Sequence, residues 1–444
     1  MHAVIVRRLL LPLHERLLGR RTLSDLRGLE QSQWWSAARL EELQQFKLQS
    51  LLTHAAQRIP YYRDALSAAG IDPRTATLSN LPKLPLIDKS TIRLGLERLC
   101  DFEIRGGLHR STTGGSTGEP LTFYMDRTRQ AADQAARART RTWFNVELGE
   151  RELYLWGSPV EWTQRDRLKR CRDWLSNHCL LSAFRMTPRT MFKYIREIHQ
   201  FDPVHIFSYP SSLAQLVRHA RAAGTPVRNK SLRAVFATGE IFDPADRAII
   251  EEAFAVPVAD GYGSREGGFV AHQCPHGSYH STMEQVIVEL VNEQGEAVSK
   301  GEAGEIVLTH LDSFGMPLIR YRTGDLAEWG RDCACGRALT TLKSIVGRRT
   351  DLLRTADGGK AHALCAIYVL RDEPKVAKFK IVQRPDLSLD VQVNCRSSFD
   401  LSDRERITRR LKSQMGPVAI RITELSEIPP DPSGKHRYVQ CLAT

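Results

Sequence analysis

No apolar run in the chain reaches the roughly 20 residues that a membrane-spanning helix needs, so stable membrane insertion is not expected. Internal repeats and low-complexity tracts are also missing, which argues against a solenoid and against a long disordered tail. The nine cysteines are an odd number without regular spacing. A disulfide framework is therefore not expected, and a reducing, cytoplasmic setting fits best. The opening stretch MHAVIVRRLLLPLHERLLGRR lacks a clean apolar region and a small-residue cleavage site, so it does not read as a secretory signal. Its simpler reading is an amphipathic helix packed on the body. The sharper one is a weak association with an anionic lipid surface.

What is present is ordinary for a globular chain: 42% apolar and 26% charged residues. At 444 residues the chain is long for one core, and two or three domains are expected. The net charge of +12 suits nucleic acid, but equally polyanionic small molecules such as ATP and coenzyme A. The arginines are scattered rather than gathered into a tail or stripe, so a nucleic-acid partner is not expected.

Between about 36 and 59, Leu40, Leu43, Phe46, Leu51, Leu52, Ala55 and Ile59 recur at helical spacing. Gly70, Pro73, Pro82 and Pro85 then break the chain. Residues 1 to about 100 thus form a helical segment on a larger core. From about 100 to 345, strand and helix patterns alternate. VHIF (204–207) and LRAVFA (232–237) read as strands, Pro210 opens a helix, and Asp243-Pro244 is helix-start chemistry. This predicts an α/β layer of mostly parallel strands. After Met283, VIVEL and GEIVLTHL read as a hairpin or meander. The last ninety or so residues form a small α+β unit. The expected division is a multi-layer first domain over 1–349 and a second over 350–444.

STTGGSTGEP (111–120) concentrates glycine, serine and threonine. Glycine permits close backbone approach, and successive N–H groups and hydroxyls can surround phosphate oxygens. The bland alternative is a flexible polar turn. No Gly-Lys-Ser/Thr follows at the spacing of a Walker A loop.

This stretch resembles the phosphate loop of the adenylate-forming superfamily of acyl-CoA synthetases, and further segments resemble the family's motifs in order. They are ATGE (237–240), DGYGSREGG (260–268), YRTGD (321–325), GRRTDLL (347–353) and PSGKHR (432–437). RIPYYRDAL (58–66) and SYPSSL (208–213) are similar to the phenylacetate–CoA ligase group, which includes CapK-like proteins labelled for capsular polysaccharide biosynthesis. The resemblance implies ATP-dependent activation of a carboxylic acid to an acyl-adenylate, then thioester formation with coenzyme A. A carrier thiol, amine or sugar hydroxyl is the alternative acceptor.

The resemblance also implies roles. Ser111, Thr112, Thr113, Gly114, Gly115, Ser116, Thr117 and Gly118 would surround the β- and γ-phosphates. Gly239, Glu240, Tyr262 and Gly263 would line the adenine. Asp325 would bind the ribose, with Arg348 supporting ribose and phosphates. Glu266 would hold Mg²⁺, a hard cation suited to oxygen ligands. Lys435 would bridge the substrate carboxylate and the α-phosphate. Tyr209, Ser211, Phe236 and Ala237 would wall the acyl pocket. Asp351 would be the hinge of a mobile second domain, although Thr350 stands where the family often has Asp.

QCPHGSYH and RDCACGR hold Cys274, His276, His280, Cys333 and Cys335. Three thiolates and one imidazole suit a closed tetrahedral zinc site. The favoured ligands are Cys274, His280, Cys333 and Cys335, with His276 as the alternative nitrogen donor. Free cysteines beside a surface histidine are the bland reading. A zinc-stabilised nucleic-acid-binding protein is the reading from another class, and it leaves Ser111–Pro120, Asp325 and Lys435 unexplained.

Overall fold

The structure, a computed structural model, describes residues 2–443 except 114–120, 157–172, 174, 184–185, 241, 349–351, 357–359, 363–365, 368, 371–372 and 429–437. The chain divides into two compact units, Met1–Val346 and Gly347–Thr444.

The first unit carries an eleven-stranded sheet. Its parallel half runs through His178–Ser182, Glu152–Trp156, His205–Ser208, Ala234–Thr238 and Val258–Ser264. Helices Pro188–Phe201, Pro210–Ala222 and Pro244–Phe254 connect the later of these strands. Each begins on a proline, whose fixed φ suits the first helical turn and whose missing N–H costs nothing there. Thr187 and Asp243 cap two of them through their side chains. Tyr209 cannot cap the third. There the Glu240 carboxylate, from the next strand's loop, accepts the Ser211 N–H at 3.2 Å.

The sheet is less parallel than the alternating pattern predicted. Only residues 265–267 separate Val258–Ser264 from Gly268–Gln273. A parallel return needs a crossover of a dozen or more residues, so this strand must come back antiparallel. The antiparallel half continues through Tyr279–Ser281 and Thr341–Arg348 to Tyr321–Trp329, Ala303–His310 and Val286–Val291.

Helix Ala37–Arg58 is capped by Ser36 and buries Leu40, Gln44, Leu48, Leu51, Leu52 and Ala55. Phe46, assigned to this face from the sequence, is instead 68% exposed. Gln44 takes the buried stripe because its Nε2 donates to the carbonyls of Met283 (2.9 Å) and Val286 (3.1 Å). The buried Tyr62 hydroxyl donates to Pro317 O at 2.9 Å and accepts from Ile319 N at 3.2 Å. The helical segment is thereby pinned to the sheet body.

The second unit has a four-stranded sheet in the order Ile420–Glu424, Leu389–Cys395, Val376–Gln383, Val439–Cys441. Helix Leu401–Met415 has Asp400 and Asp403 forming a reciprocal capping box. Ile407, Leu411 and Met415 pack with Ile381, Val391 and Val393 in its core. This is the α+β unit expected from the sequence.

Candidate active site and a cysteine–histidine cluster

Strands His109–Thr112 and Thr122–Met125 pair antiparallel, and Thr113 N–H donates to Leu121 O at 2.9 Å. They form the neck of the glycine-rich loop. Gly114, Gly115, Ser116, Thr117 and Gly118 lie outside the described residues. Arg265 Nη1 donates to Thr112 O at 2.9 Å, so the neck sits against the segment that carries Glu266.

Glu266 is 5% exposed. Its Oε1 accepts from the Tyr321 hydroxyl at 3.0 Å and lies 3.8 Å from Lys89 Nζ. Its main-chain oxygen accepts from Arg129 Nη2 at 2.9 Å. Arg129 is fully enclosed on helix Arg127–Thr142, where Asp126 caps its N–H. The guanidinium also pairs with Asp133 at 2.9 Å, and Asp133 accepts from Phe269 N at 3.0 Å. Burial alone would raise the Asp133 carboxyl, but Arg129, His310 and the Phe269 N–H outweigh it and hold it well below the usual range. Gly268 allows this arrangement. Its φ is +84°, and a Cβ there would lie 2.5 Å from Asp133 Oδ1 and 2.8 Å from Arg129 Nη2.

The Tyr262 hydroxyl donates to Asp325 Oδ2 at 2.8 Å and reaches Thr323 Oγ1 at 3.3 Å. Burial, with the Asp325 charge adding to it, pushes the Tyr262 phenol well above its ordinary value, so it remains a donor. Thr323 Oγ1 in turn accepts the Asp325 N–H at 3.1 Å. Just before Tyr262, burial raises the Asp260 carboxyl to about 7, although the Tyr279 hydroxyl donates to it.

The other predicted residues lie mostly at the C-terminal ends of the parallel strands, where open α/β sheets bind ligands. Gly239 and Glu240 follow Ala234–Thr238, and Gly263 lies in a bulge opposite Gly268–Phe269. Tyr209 is buried and stacks on Trp156, with ring centroids 4.0 Å apart at 20°. Ser211 is in the first turn of the next helix. Ala237 is buried in its strand, and Phe236 is enclosed by Phe144, His205 and His272. Arg348 ends strand Thr341–Arg348. Asp351 and Lys435 lie outside the described residues.

Away from these groups, Cys274, His280, Cys333 and Cys335 offer ligand atoms that all lie within 4.8 Å of one another. Cys274 Sγ is 3.6 Å from Cys333 Sγ, and Cys335 Sγ is 3.3 Å from His280 Nε2. Tetrahedral zinc–sulfur bonds of about 2.3 Å would set sulfurs roughly 3.8 Å apart, so the donor set fits such an ion. Burial holds the His280 imidazole near pKa 4, in the neutral form that binds metal. Burial opposes ionisation of Cys333, but contacts from Ser278 and Cys335 bring its thiol below its ordinary value. A turn with Gly277 at φ +82° folds His280 back toward Cys274. His276 is exposed and outside the cluster.

Residues 112–311 match the family described as AMP-binding enzyme. The chain is 28% identical to a phenylacetate-coenzyme A ligase of Thermus thermophilus, across 90% of this chain and 96% of that protein. Residues 112–311 therefore resemble an AMP-binding enzyme domain, and the fold is that of adenylate-forming enzymes. The chain's curated relatives include phenylacetate–CoA ligases and CapK, and together with the solved CoA ligases they support an AMP-forming acid–CoA ligase. Protein CapK of Staphylococcus aureus is 22% identical over 90% of this chain and 88% of its own length. A solved 2-hydroxyisobutyryl-CoA ligase in the postadenylation state shares the fold, with TM-score 0.72 and 20% identity across 91% and 90% of the two chains. Adenylate-forming CoA ligases use ATP and coenzyme A. Among the described residues, no helix is long and apolar enough to cross a membrane.

Sequence reasoning missed Tyr321, Arg129, Lys89 and Arg265 as supports of the site. Tyr321 opens the YRTGD segment, so a motif pointed at it without its role. Arg129 and Lys89 carried no signal, because only the fold brings them to Glu266.

Proposed function

We propose that this enzyme adenylates a carboxylic acid with ATP and then passes the acyl group to coenzyme A. The observation that carries the reading is the convergence on one segment: Arg265 holds the neck of the Ser111–Thr113 loop while its neighbour Glu266 presents a buried carboxylate. A carboxylate must attack the negatively charged α-phosphate, so catalysis requires donors and cations aimed at the charge that builds up.

Backbone amides and hydroxyls of residues 111–118 would hold the leaving pyrophosphate. Glu266 would hold Mg²⁺, which fits its oxygen donors and the fixed position that Tyr321 and Arg129 impose. That ion, when bound, offsets phosphate charge. Lys89 adds a second positive charge 3.8 Å from Glu266. Asp325, already oriented by Tyr262, would accept from the ribose hydroxyls, and Arg348 would support the ribose and phosphates. Gly239, Glu240 and Gly263 would line the adenine. Tyr209, Ser211, Phe236 and Ala237, with Trp156 stacked on Tyr209, would bound the acyl group. Lys435, on a second domain that moves about Asp351, would lower the repulsion between carboxylate and α-phosphate. Cys274, His280, Cys333 and Cys335 would hold a structural zinc that ties two loops together. A reducing cytoplasm suits those thiols.

ATP–pyrophosphate exchange across aryl, fatty and hydroxy acids tests the first half-reaction. AMP release with and without coenzyme A tests the second. Exchange with no acid in the panel would overturn the reading. The resemblance to CapK-like proteins, labelled for capsular polysaccharide biosynthesis, keeps a second reading of the acceptor, a non-CoA nucleophile. Acid-dependent exchange without CoA-dependent AMP release would favour it.

A further inference from the structure

Residues 3–18 form a continuous helical segment: Ala3–Ile5, a π turn over Val6–Leu10, and Leu11–Leu18. Val6 is its sole fully enclosed side chain, seated over Gly149. A Cβ at Gly149 would meet Ala3 O and Arg7 N at 3.2 Å, so the body is shaped to receive this side of the helix. A neighbouring strip of the helix is apolar and open. Ile5, Leu9, Leu13 and Leu17 are 47%, 62%, 53% and 78% exposed.

Their four-residue spacing would drift around a pure α-helix by about 40° per step. The π turn between Ile5 and Leu11 has more residues per turn and takes up part of that drift, which keeps the four side chains in one row. The arginines are divided in the same way. Arg7 pairs with Glu147 and Arg20 donates to Gln130 at 2.8 Å, both on the body. Arg8, Arg16 and Arg21 are exposed. Glu15 is the one acidic residue in positions 1–21.

We propose that this face is a docking surface for an anionic lipid bilayer, with the leucine row entering the headgroup boundary and Arg8, Arg16 and Arg21 contacting lipid phosphates. An in-plane helix with an apolar row and flanking arginines has the chemistry of interfacial binding, and two such signals together give stable adsorption. A second copy is a poorer occupant, because pairing two such helices would bring their arginines together with little acid to offset them.

Flotation of the full chain tests this, using phosphatidylcholine vesicles with and without phosphatidylglycerol, at low and high salt. Binding should require phosphatidylglycerol and weaken with salt. It should fall roughly tenfold or more in R8Q/R16Q/R21Q and in L9S/L13S/L17S. ATP–pyrophosphate exchange should be unchanged in both variants, which also reports that they fold. The arginine variant decides the matter alone should the serine variant misfold. No flotation of the wild-type chain, equal flotation on neutral vesicles, or a leucine-dependent oligomer in sedimentation without lipid binding would each overturn the proposal.

Discussion

Tyr321→Phe isolates one hydrogen bond at the centre of the site. Tyr321 is fully enclosed, and its hydroxyl donates to Glu266 Oε1 at 3.0 Å. Phenylalanine keeps the ring and its packing, so the loss is confined to a donor. A hydrogen bond to a charged acceptor contributes about 1.5–3 kcal/mol, and each 1.4 kcal/mol or so is a factor of ten. Lys89 remains 3.8 Å from the same oxygen and Arg129 still holds the Glu266 main chain, which places the effect at the lower end. The expected outcome is a rise of about tenfold in the Mg²⁺ concentration that half-saturates ATP–pyrophosphate exchange. Thermal unfolding recorded alongside separates this from general destabilisation. A Mg²⁺ titration that superimposes on the wild type, at an unchanged maximal rate, would refute the assignment of Glu266 even if the midpoint of unfolding drops.

Lys435→Ala should cut adenylation by roughly 10²–10³ and leave the unfolding midpoint unchanged, read by pyrophosphate exchange and calorimetry. Protein purified without chelator should carry close to one zinc, and Cys335→Ser should lose most of it together with thermal stability; metal analysis at under about half an equivalent in the wild type argues against the cluster. Burial holds the His205 imidazole near pKa 4 despite the neighbouring Glu152. The unfolded chain therefore takes up a proton first, and stability that is full above about pH 6.5 declines as the pH falls toward 4, by at most about 3 kcal/mol. In His205→Phe, urea midpoints should lose that part of the acid-side slope.

Local chemistry was readable wherever a residue acts on its own neighbours in the chain. Pro210, Pro244 and the Asp243 cap start helices because of φ and side-chain reach, and both helices stand where expected. The hairpin of VIVEL with GEIVLTHL is likewise present, from Val286 to His310. Amphipathic reasoning failed at Phe46 and Gln44. Spacing cannot reveal that two carbonyls of a distant loop wait for an amide on the buried stripe. It failed again at the sheet's turn from parallel to antiparallel, which a three-residue connection after Ser264 imposes.

The sequence by itself determined a glycine-rich loop and a set of soft-metal donors, which are properties of residue type at short spacing, and its resemblance to a family pointed to Glu266, Asp325 and Lys435 as candidates. The tertiary structure decided which of these meet. Tyr262 reaches Asp325 across 63 positions, Cys274 reaches Cys333 across 59, and Tyr321 reaches Glu266 across 55. Such pairs depend on strand order and register, which arise from burial summed over the whole sheet and are not encoded in any one motif.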